Sequence, residues 1–227
     1  MYFLVMGANE HYDKMREYHD KKYAKKRYVW GTEQSEIVEL LSDDLPIKST
    51  VLDLGAAEGR NAIYLAKKGH VVTAVDFSSE GIKKAKRRAS KKKVHIDTIV
   101  SGITEPEFVK SLGTYDAILA LNVLQFLTPE DATVALSYIK EKTRPGGFVA
   151  ISSFRGENPK YKRFEDYELQ RIFNDWTRIH YKESWGRMLC DNRRVDTVEI
   201  IAQKLQPSIL KRRQEDWIPT GPPPGDD

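Results

Sequence analysis

Two aspartates and one glycine turn are the residues in this sequence best placed to do chemistry. Asp53 interrupts the apolar run Val51-Leu52-Asp53-Leu54, and Gly55-Ala56-Ala57-Glu58-Gly59-Arg60-Asn61 follows directly. Asp76 closes a second apolar run, Val71–Val75, about 20 residues past the glycine turn. From Glu58 onward the apolar positions Ala62, Ile63, Leu65 and Ala66 recur at helix spacing. A strand, a glycine turn and a helix N-terminus together bring backbone amides close to a nucleotide-like ligand. A carboxylate at Asp53 would repel a pyrophosphate there and attract an ammonium group.

That difference separates the cofactors such a turn could hold. A dinucleotide site wants Gly-x-Gly-x-x-Gly, and Ala57 stands where its second glycine would be. The Gly-Lys-Ser/Thr loop that cradles nucleotide phosphates is absent as well. S-adenosylmethionine (SAM) carries an amino-acid end, a ribose and an adenine, and no phosphate. Asp53 can hold its ammonium group, directly or through water. Gly55, Ala56 and Ala57 are small enough for close backbone approach. The helix N-terminus and Arg60 can balance its carboxylate. Asp76 occupies the place of an acid that accepts both ribose hydroxyls. Expected with SAM is the product S-adenosylhomocysteine (SAH).

Regular alternation of elements positions these residues. Glu10 to Lys26 reads as a peripheral N-terminal helix, Arg27 to Thr32 as an aromatic loop, and Ser35 to Leu41 as a second helix. Val51–Leu54, Val71–Val75, Val94–Val100, Tyr115–Leu121 and Phe148–Ser153 read as strands. Helices at Glu58–Lys68, after the Ser78 cap, at Pro106–Leu112 and after Thr128-Pro129 lie between them. Repeated units of this kind give an α/β fold with a mostly parallel sheet covered on both faces. Phe164–Phe173 reads as helical, and Thr177–Glu183 with Thr197–Gln203 as a terminal hairpin. Residues 1–48 are thus helices and a lid loop belonging to the same domain as a core over 49–206. The proline-rich 207–227 stretch is expected to be a mobile tail.

The totals set outer bounds. With 227 residues the chain suits one domain, and its hydrophobic content of 40% can supply a core. No apolar run reaches membrane length and no signal peptide is evident, so no membrane association is expected. Cys190 is the single cysteine, which makes an intrachain disulfide impossible and a cytoplasmic setting the default. The five histidines show no metal-ligand spacing. Lys83, Lys84, Lys86, Arg87, Arg88 and Lys91 to Lys93 form a basic run read as a solvated helix face, so nucleic acid is not an expected partner.

Val-Leu-Asp-Leu-Gly-Ala-Ala-Glu-Gly-Arg-Asn followed by Val-Thr-Ala-Val-Asp-Phe-Ser resembles a class I SAM-dependent methyltransferase. Gly59 to Ala66, the Tyr28–Gly31 loop, Val123 to Leu127, Pro145 to Phe148 and Glu168 to Trp176 are similar to the tellurite-resistance methyltransferases. The resemblance implies a Rossmann-like sheet of seven strands with one antiparallel terminal strand and helices on both faces. It implies a cofactor shell of Tyr28 or Trp30, Asp53, Gly55, Arg60, Asp76, Phe77, Ile103 and Asn122. Phe77 would lie against the adenine, and Ile103 would offer it a backbone amide. Two positions depart from the family. Gly102 stands where many class I enzymes carry an adenine-binding acid, and the 186–194 stretch has arginines but lacks an expected histidine. The second departure points away from tellurite itself.

Methyl transfer from a sulfonium needs alignment and exclusion of water more than acid catalysis, and a base only when the acceptor arrives protonated. The sequence accordingly offers a cofactor site and no defined catalytic residue. The expected acceptor is a small molecule, an anion or soft nucleophile, drawn in by Arg187, Arg193 or Arg194. Trp30 and Tyr161, aromatic residues in polar loops, are candidates for the same pocket. The alternatives are a non-catalytic SAM-binding regulatory protein and an RNA or protein methyltransferase. Either monomer or homodimer would serve.

Overall fold

The structure is a computed structural model that describes residues 3–158, 160–187 and 194–206. Helix α1 (Phe3–Tyr23) and helix α2 (Glu36–Asp44) precede the first strand, β1 (Thr50–Leu54). There follow α3 (Arg60–Lys67), β2 (Val71–Asp76), α4 (Ser79–Lys91), β3 (Asp97–Val100), α5 (Pro106–Ser111) and β4 (Tyr115–Leu121). A short 3-10 turn (Leu124–Phe126) leads into α6 (Pro129–Lys142), β5 (Thr143–Phe154), α7 (Glu168–Ile172), β6 (Thr177–Arg187) and β7 (Arg194–Gln203). The strands form one sheet in the order β3-β2-β1-β4-β5-β7-β6. Strands β1 to β5 pair in parallel, and β7 runs antiparallel to both β5 and β6. Seven strands with an antiparallel last strand match the expected fold.

Period-two alternation divides the core between the two faces of the sheet. Ala117, Leu119 and Leu121 of β4 join Val51 in one buried cluster with α2, α3 and α4. Ile118 and Ala120 join Leu52 and Leu54 in the other, with α5 and α6. Asp53 therefore falls on the Val51 face, beneath α3. The order of strands reverses direction between β1 and β4, and a crevice opens there at the carboxyl ends. The caps read from sequence form: Ser78 Oγ accepts from Gly81 N at 3.1 Å, and Thr128 Oγ1 from Asp131 N at 3.2 Å.

Several elements differ from the expected ones. Helix α1 starts at Phe3 rather than Glu10 and is a wall of the crevice rather than a peripheral helix. Strand β3 begins only at Asp97. Helix α7 has five residues, because Phe164 instead bridges to Arg155 as extended chain and Tyr167 enters α7 in the left-handed region at φ 58°. The hairpin is longer than expected, and its turn residues Asp191 to Arg193 lie outside the described residues, as do Cys190 and the 207–227 tail. Among the described residues no helix is long and apolar enough to cross a membrane.

At the opposite end of the sheet, Asp116 ties three strands together. Its Oδ2 accepts from Thr50 N at 2.7 Å and Thr50 Oγ1 at 2.8 Å, and its Oδ1 from Arg144 at 2.8 Å. Burial raises its pKa, but the Thr50 and Arg144 hydrogen bonds outweigh burial and hold it below the ordinary carboxylate value. A depressed carboxyl stabilises the fold above its unfolded pKa and ceases to do so as pH falls through its folded one. Asp116→Asn is therefore expected to cost about 1.5–3 kcal/mol at neutral pH. The deficit should shrink below about pH 4, where the wild-type carboxylate is itself lost. Urea denaturation at pH 7 and pH 3 measures it, and equal deficits at both values would rule out the charge as its source.

Candidate functional site

A cavity of about 890 Å³ occupies the crevice at the carboxyl ends of β1 to β4. Its floor is the Gly55-Ala56-Ala57 turn after β1, Asp76-Phe77 after β2, Ser101-Gly102-Ile103 after β3 and Asn122-Val123 after β4. The turn needs its unusual backbone. Gly55 has φ +72°, and a Cβ there would lie 2.7 Å from Val123 Cβ. Ala57 is also left-handed, at φ 51°, a conformation costly for alanine. Asp76 Oδ2 holds it there, accepting from Ala57 N at 2.8 Å, while Oδ1 accepts from Ser78 N at 2.8 Å. Asn122 is left-handed too, at φ 55°, and its amide donates to Ser152 O at 2.8 Å.

Both aspartates of the motif are buried, Asp53 at 2% and Asp76 at 4% exposure. Asp53 sits behind the cavity wall rather than on it, and its Oδ2 has no hydrogen-bond partner. Burial and the nearby Asp76 push its pKa up to about 7, against the opposing pull of Arg60 and the Ala62 amide. Burial likewise pushes Asp76 up to about 6, and the amides of Ser78 and Ala57 limit the shift. An orphaned buried carboxylate oxygen beside a cavity fits a ligand that brings positive charge.

The aromatic loop over this floor is held by ions. Glu58, 2% exposed, accepts from Val29 N at 2.7 Å and pairs with Lys84 at 2.8 Å. Arg60 donates to Trp30 O at 3.0 Å and to Ser35 Oγ at 3.0 Å. Arg88 donates to Thr32 O. Arg60 lines the cavity as expected, but its described bonds clamp the loop. Lys84 and Arg88 are accordingly not part of a solvated basic face. They stand over the Tyr28 ring at 5.4 and 5.1 Å, which holds Tyr28 on α4 and off the cavity wall. Trp30 does line the cavity, and its indole donates to Tyr23 Oη at 3.0 Å.

Of the residues expected at the cofactor, the structure brings Trp30, Gly55, Ala56, Ala57, Arg60, Asp76, Phe77, Ile103 and Asn122 to one cavity. Tyr161 lies elsewhere, in a shallower hollow of about 510 Å³ with Lys162, Arg163 and Glu168, its ring 5.3 Å from His11. Arg187 pairs with Arg194 in the β6–β7 ladder, and Arg193 lies outside the described residues.

Two contributions escaped the sequence reading. One is the inner face of α1, which adds Tyr12, Met15, Arg16, His19 and Tyr23 to the cavity wall. Their spacing of three to four residues is a helix stripe, but tyrosine, methionine and histidine made it look amphipathic only weakly. The other is Glu105. It folds back to accept from Gly102 N at 2.9 Å and Ser101 Oγ at 2.9 Å, so a carboxylate does follow β3, three residues later than Gly102. Arg16 of α1 meets it at 3.3 Å.

The family model described as tellurite resistance protein TehB matches residues 13–200, so the chain belongs to this family. A curated relative from Haemophilus influenzae, "Probable S-adenosyl-L-methionine-dependent methyltransferase TehB", is 27% identical over 172 residues, 73% of this chain and 58% of the relative. The chain thus spans just over half the length of that protein. The tRNA 5-carboxymethoxyuridine methyltransferase of Escherichia coli (strain K12) is 30% identical over 135 residues, 55% of this chain and 51% of that one. The crystal structure of TehB from Haemophilus influenzae shares the fold with a TM-score of 0.67 at 24% identity, covering 83% of this chain and 66% of that chain.

Asp53 offers a test of the electrostatics without any ligand. A carboxyl raised in the folded state weighs on stability as pH rises through its folded pKa, and adds no penalty below its unfolded one. Asp53→Asn should therefore stabilise the ligand-free protein at pH 8, by up to about 4 kcal/mol, and change little near pH 4. Denaturant titration at both pH values measures this, and a loss of stability at pH 8 would show that the charge is compensated.

Proposed function

We propose that this chain transfers a methyl group from SAM to a small-molecule acceptor that is a neutral or soft nucleophile. The observation that carries the reading is the charge of the cavity floor. Two buried carboxylates bear on it, Asp76 on the floor and Asp53 behind it, and the wall's described cations, Arg16 and Arg60, are both engaged by protein groups. Such a floor suits a ligand with an ammonium and a sulfonium and disfavours one with phosphates. The relative from Haemophilus influenzae is described as a probable S-adenosyl-L-methionine-dependent methyltransferase, which supports the cofactor and the reaction.

SAM, when bound, supplies a methyl group on a sulfonium whose sulfur departs neutral and needs no acid. The chain's own residues would bind, orient and keep water out. Asp76 would accept the ribose hydroxyls while the Ala57 and Ser78 amides hold its carboxylate still. Asp53 would set a negative potential under the ammonium end. Phe77, Ile103 and Glu105 would flank the adenine. Trp30, Tyr23 and the α1 stripe would roof the reacting centre, and in a closed site alignment supplies much of the acceleration.

The size of the cavity favours a small acceptor, since about 300–1,000 Å³ is the range of small-molecule sites. Asp13, Glu105, Glu130 and Asp131 on its wall disfavour an anion. An anionic acceptor would depend on the hairpin arginines instead.

Titration of SAH into the full chain by calorimetry tests the reading. Asp76→Ala should weaken binding at least about tenfold through lost charge-assisted hydrogen bonds. A ligand ammonium favours ionised Asp53 and Asp76, so binding should release protons near pH 6 and weaken as pH falls further, with little release at pH 8. Runs in buffers of different ionisation enthalpy report the release. Absence of SAH binding would sink the proposal, and turnover of any thiol, phenol or amine with SAM would exclude a purely regulatory role.

A further inference from the structure

His19 is the one imidazole on the described cavity wall, and neither the fold nor the floor of the site accounts for it. It is 7% exposed, on the inner face of α1. Its ring lies 5.4 Å from Phe77, which follows Asp76, and 5.6 Å from Phe126, on the turn after β4. It thus stands between the cofactor side of the cavity and the side left for an acceptor. Its Nδ1 is 2.9 Å from Met15 O. A carbonyl can only accept, so Nδ1 carries the ring proton and Nε2 is the basic nitrogen of the neutral ring.

We propose that His19 Nε2 is the general base for acceptors that enter the cavity protonated, so that the chain methylates neutral O–H, S–H or N–H nucleophiles. This role rests on the methyltransferase reading above and gives it an acceptor class. As the acceptor's lone pair forms the new bond to carbon, the carbon–sulfur pair leaves with sulfur and His19 takes the acceptor's proton. The imidazolium then returns that proton to solvent, so no oxidant or second substrate is needed.

The surroundings favour a neutral, proton-accepting ring. Burial lowers its pKa most, the Met15 carbonyl opposes that, Lys22 lowers it further and Asp20 raises it. Asp20 is engaged by the Ser78 hydroxyl and the Glu80 amide. From β2, Asp76 lines the same cavity, and the turn after β4 contributes Phe126, which carries no charge. Burial thus holds the ring's pKa below the ordinary histidine value, and a neutral ring with a fixed tautomer is what proton abstraction requires.

The test uses the full chain, His19→Gln, and His19→Asn, whose amide can still donate to Met15 O. Acceptors come in matched pairs differing in ionisation at neutral pH: 2-mercaptoethanol against thiophenol, and phenol against 4-nitrophenol. SAH affinity should stay within about twofold in both variants. Turnover of the protonated member of a pair should fall about 100-fold or more, and that of the ionised member by far less. Nitrogen-15 NMR of the SAH complex should show His19 neutral, with its proton on Nδ1, at pH 7. Equal losses on both members of a pair, no loss, or a proton on Nε2 would overturn the role. If the wild type binds SAH and turns over no acceptor, the methyltransferase reading itself fails, and this role with it.

Discussion

The site depends on holding two carboxylates dry at the ends of two adjacent parallel strands. Strand register sets Leu54 beside Val75, so the chain leaving β1 passes directly over the end of β2. Ala56 N donates to Val75 O at 2.9 Å, and Ala57 N to Asp76 at 2.8 Å. The second bond stabilises a left-handed alanine, offsetting roughly 1–2 kcal/mol of backbone strain with a charge-assisted hydrogen bond of similar size. Asp76 therefore shapes the turn before any ligand arrives. Asp53 has no such compensation on its Oδ2, and its charge is a standing load on the fold. A load of this kind persists where function needs it.

Above this floor the construction changes from packing to ion pairs. The sheet is buried on both faces, with β1, β4 and β5 almost wholly dry. The roof has little such packing. Its loop hangs on Glu58, Arg60, Lys84 and Arg88, and α1 meets the body through Arg16, Tyr12 and Asp20, which bond Glu105, Asp131 and Ser78. Regions with polar anchoring and few buried apolar contacts open at lower free energy than a sheet core.

What could be read from the sequence follows that division. Tyr115–Leu121 was legible to the residue, because a strand buried on both faces is a continuous apolar run between turn signals. Helix α6 was legible from Thr128 and Pro129, whose capping chemistry is local. The glycine turn and Asp76, read from their offsets to strand ends, and Phe77, Ile103 and Asn122, implied by the family resemblance, line one cavity. Tyr28 was misplaced because its position depends on two cations a helix away, Lys84 and Arg88, which appear in sequence as members of a solvated run. Glu105 was missed because its carboxylate returns across a turn to the end of β3. The α1 wall was missed because its stripe is polar-aromatic, and its inward orientation is fixed by long-range bonds such as Tyr12 to Asp131.

The same division explains why the reaction is better defined than the acceptor. The floor is made from the strand ends that define the fold, and any chain with this sheet must place its β1 turn and its β2 acid there. The rest of the cavity wall, where the proposed acceptor would sit, is made from α1, the turn after β4 and the start of α6, which the sheet does not constrain. On that wall Tyr12 is bonded to Asp131, Arg16 to Asp13 and Glu105, and Trp30 to Tyr23. Most of its polar groups thus satisfy one another and present apolar ring surface to the cavity. An anionic acceptor would have to break these pairs to reach Arg16, at a desolvation cost, and would face the carboxylates of Glu130 and Asp131. On the proposed function, a neutral nucleophile with an aromatic or aliphatic body would keep them intact, and the wall would select by shape and by exclusion of negative charge.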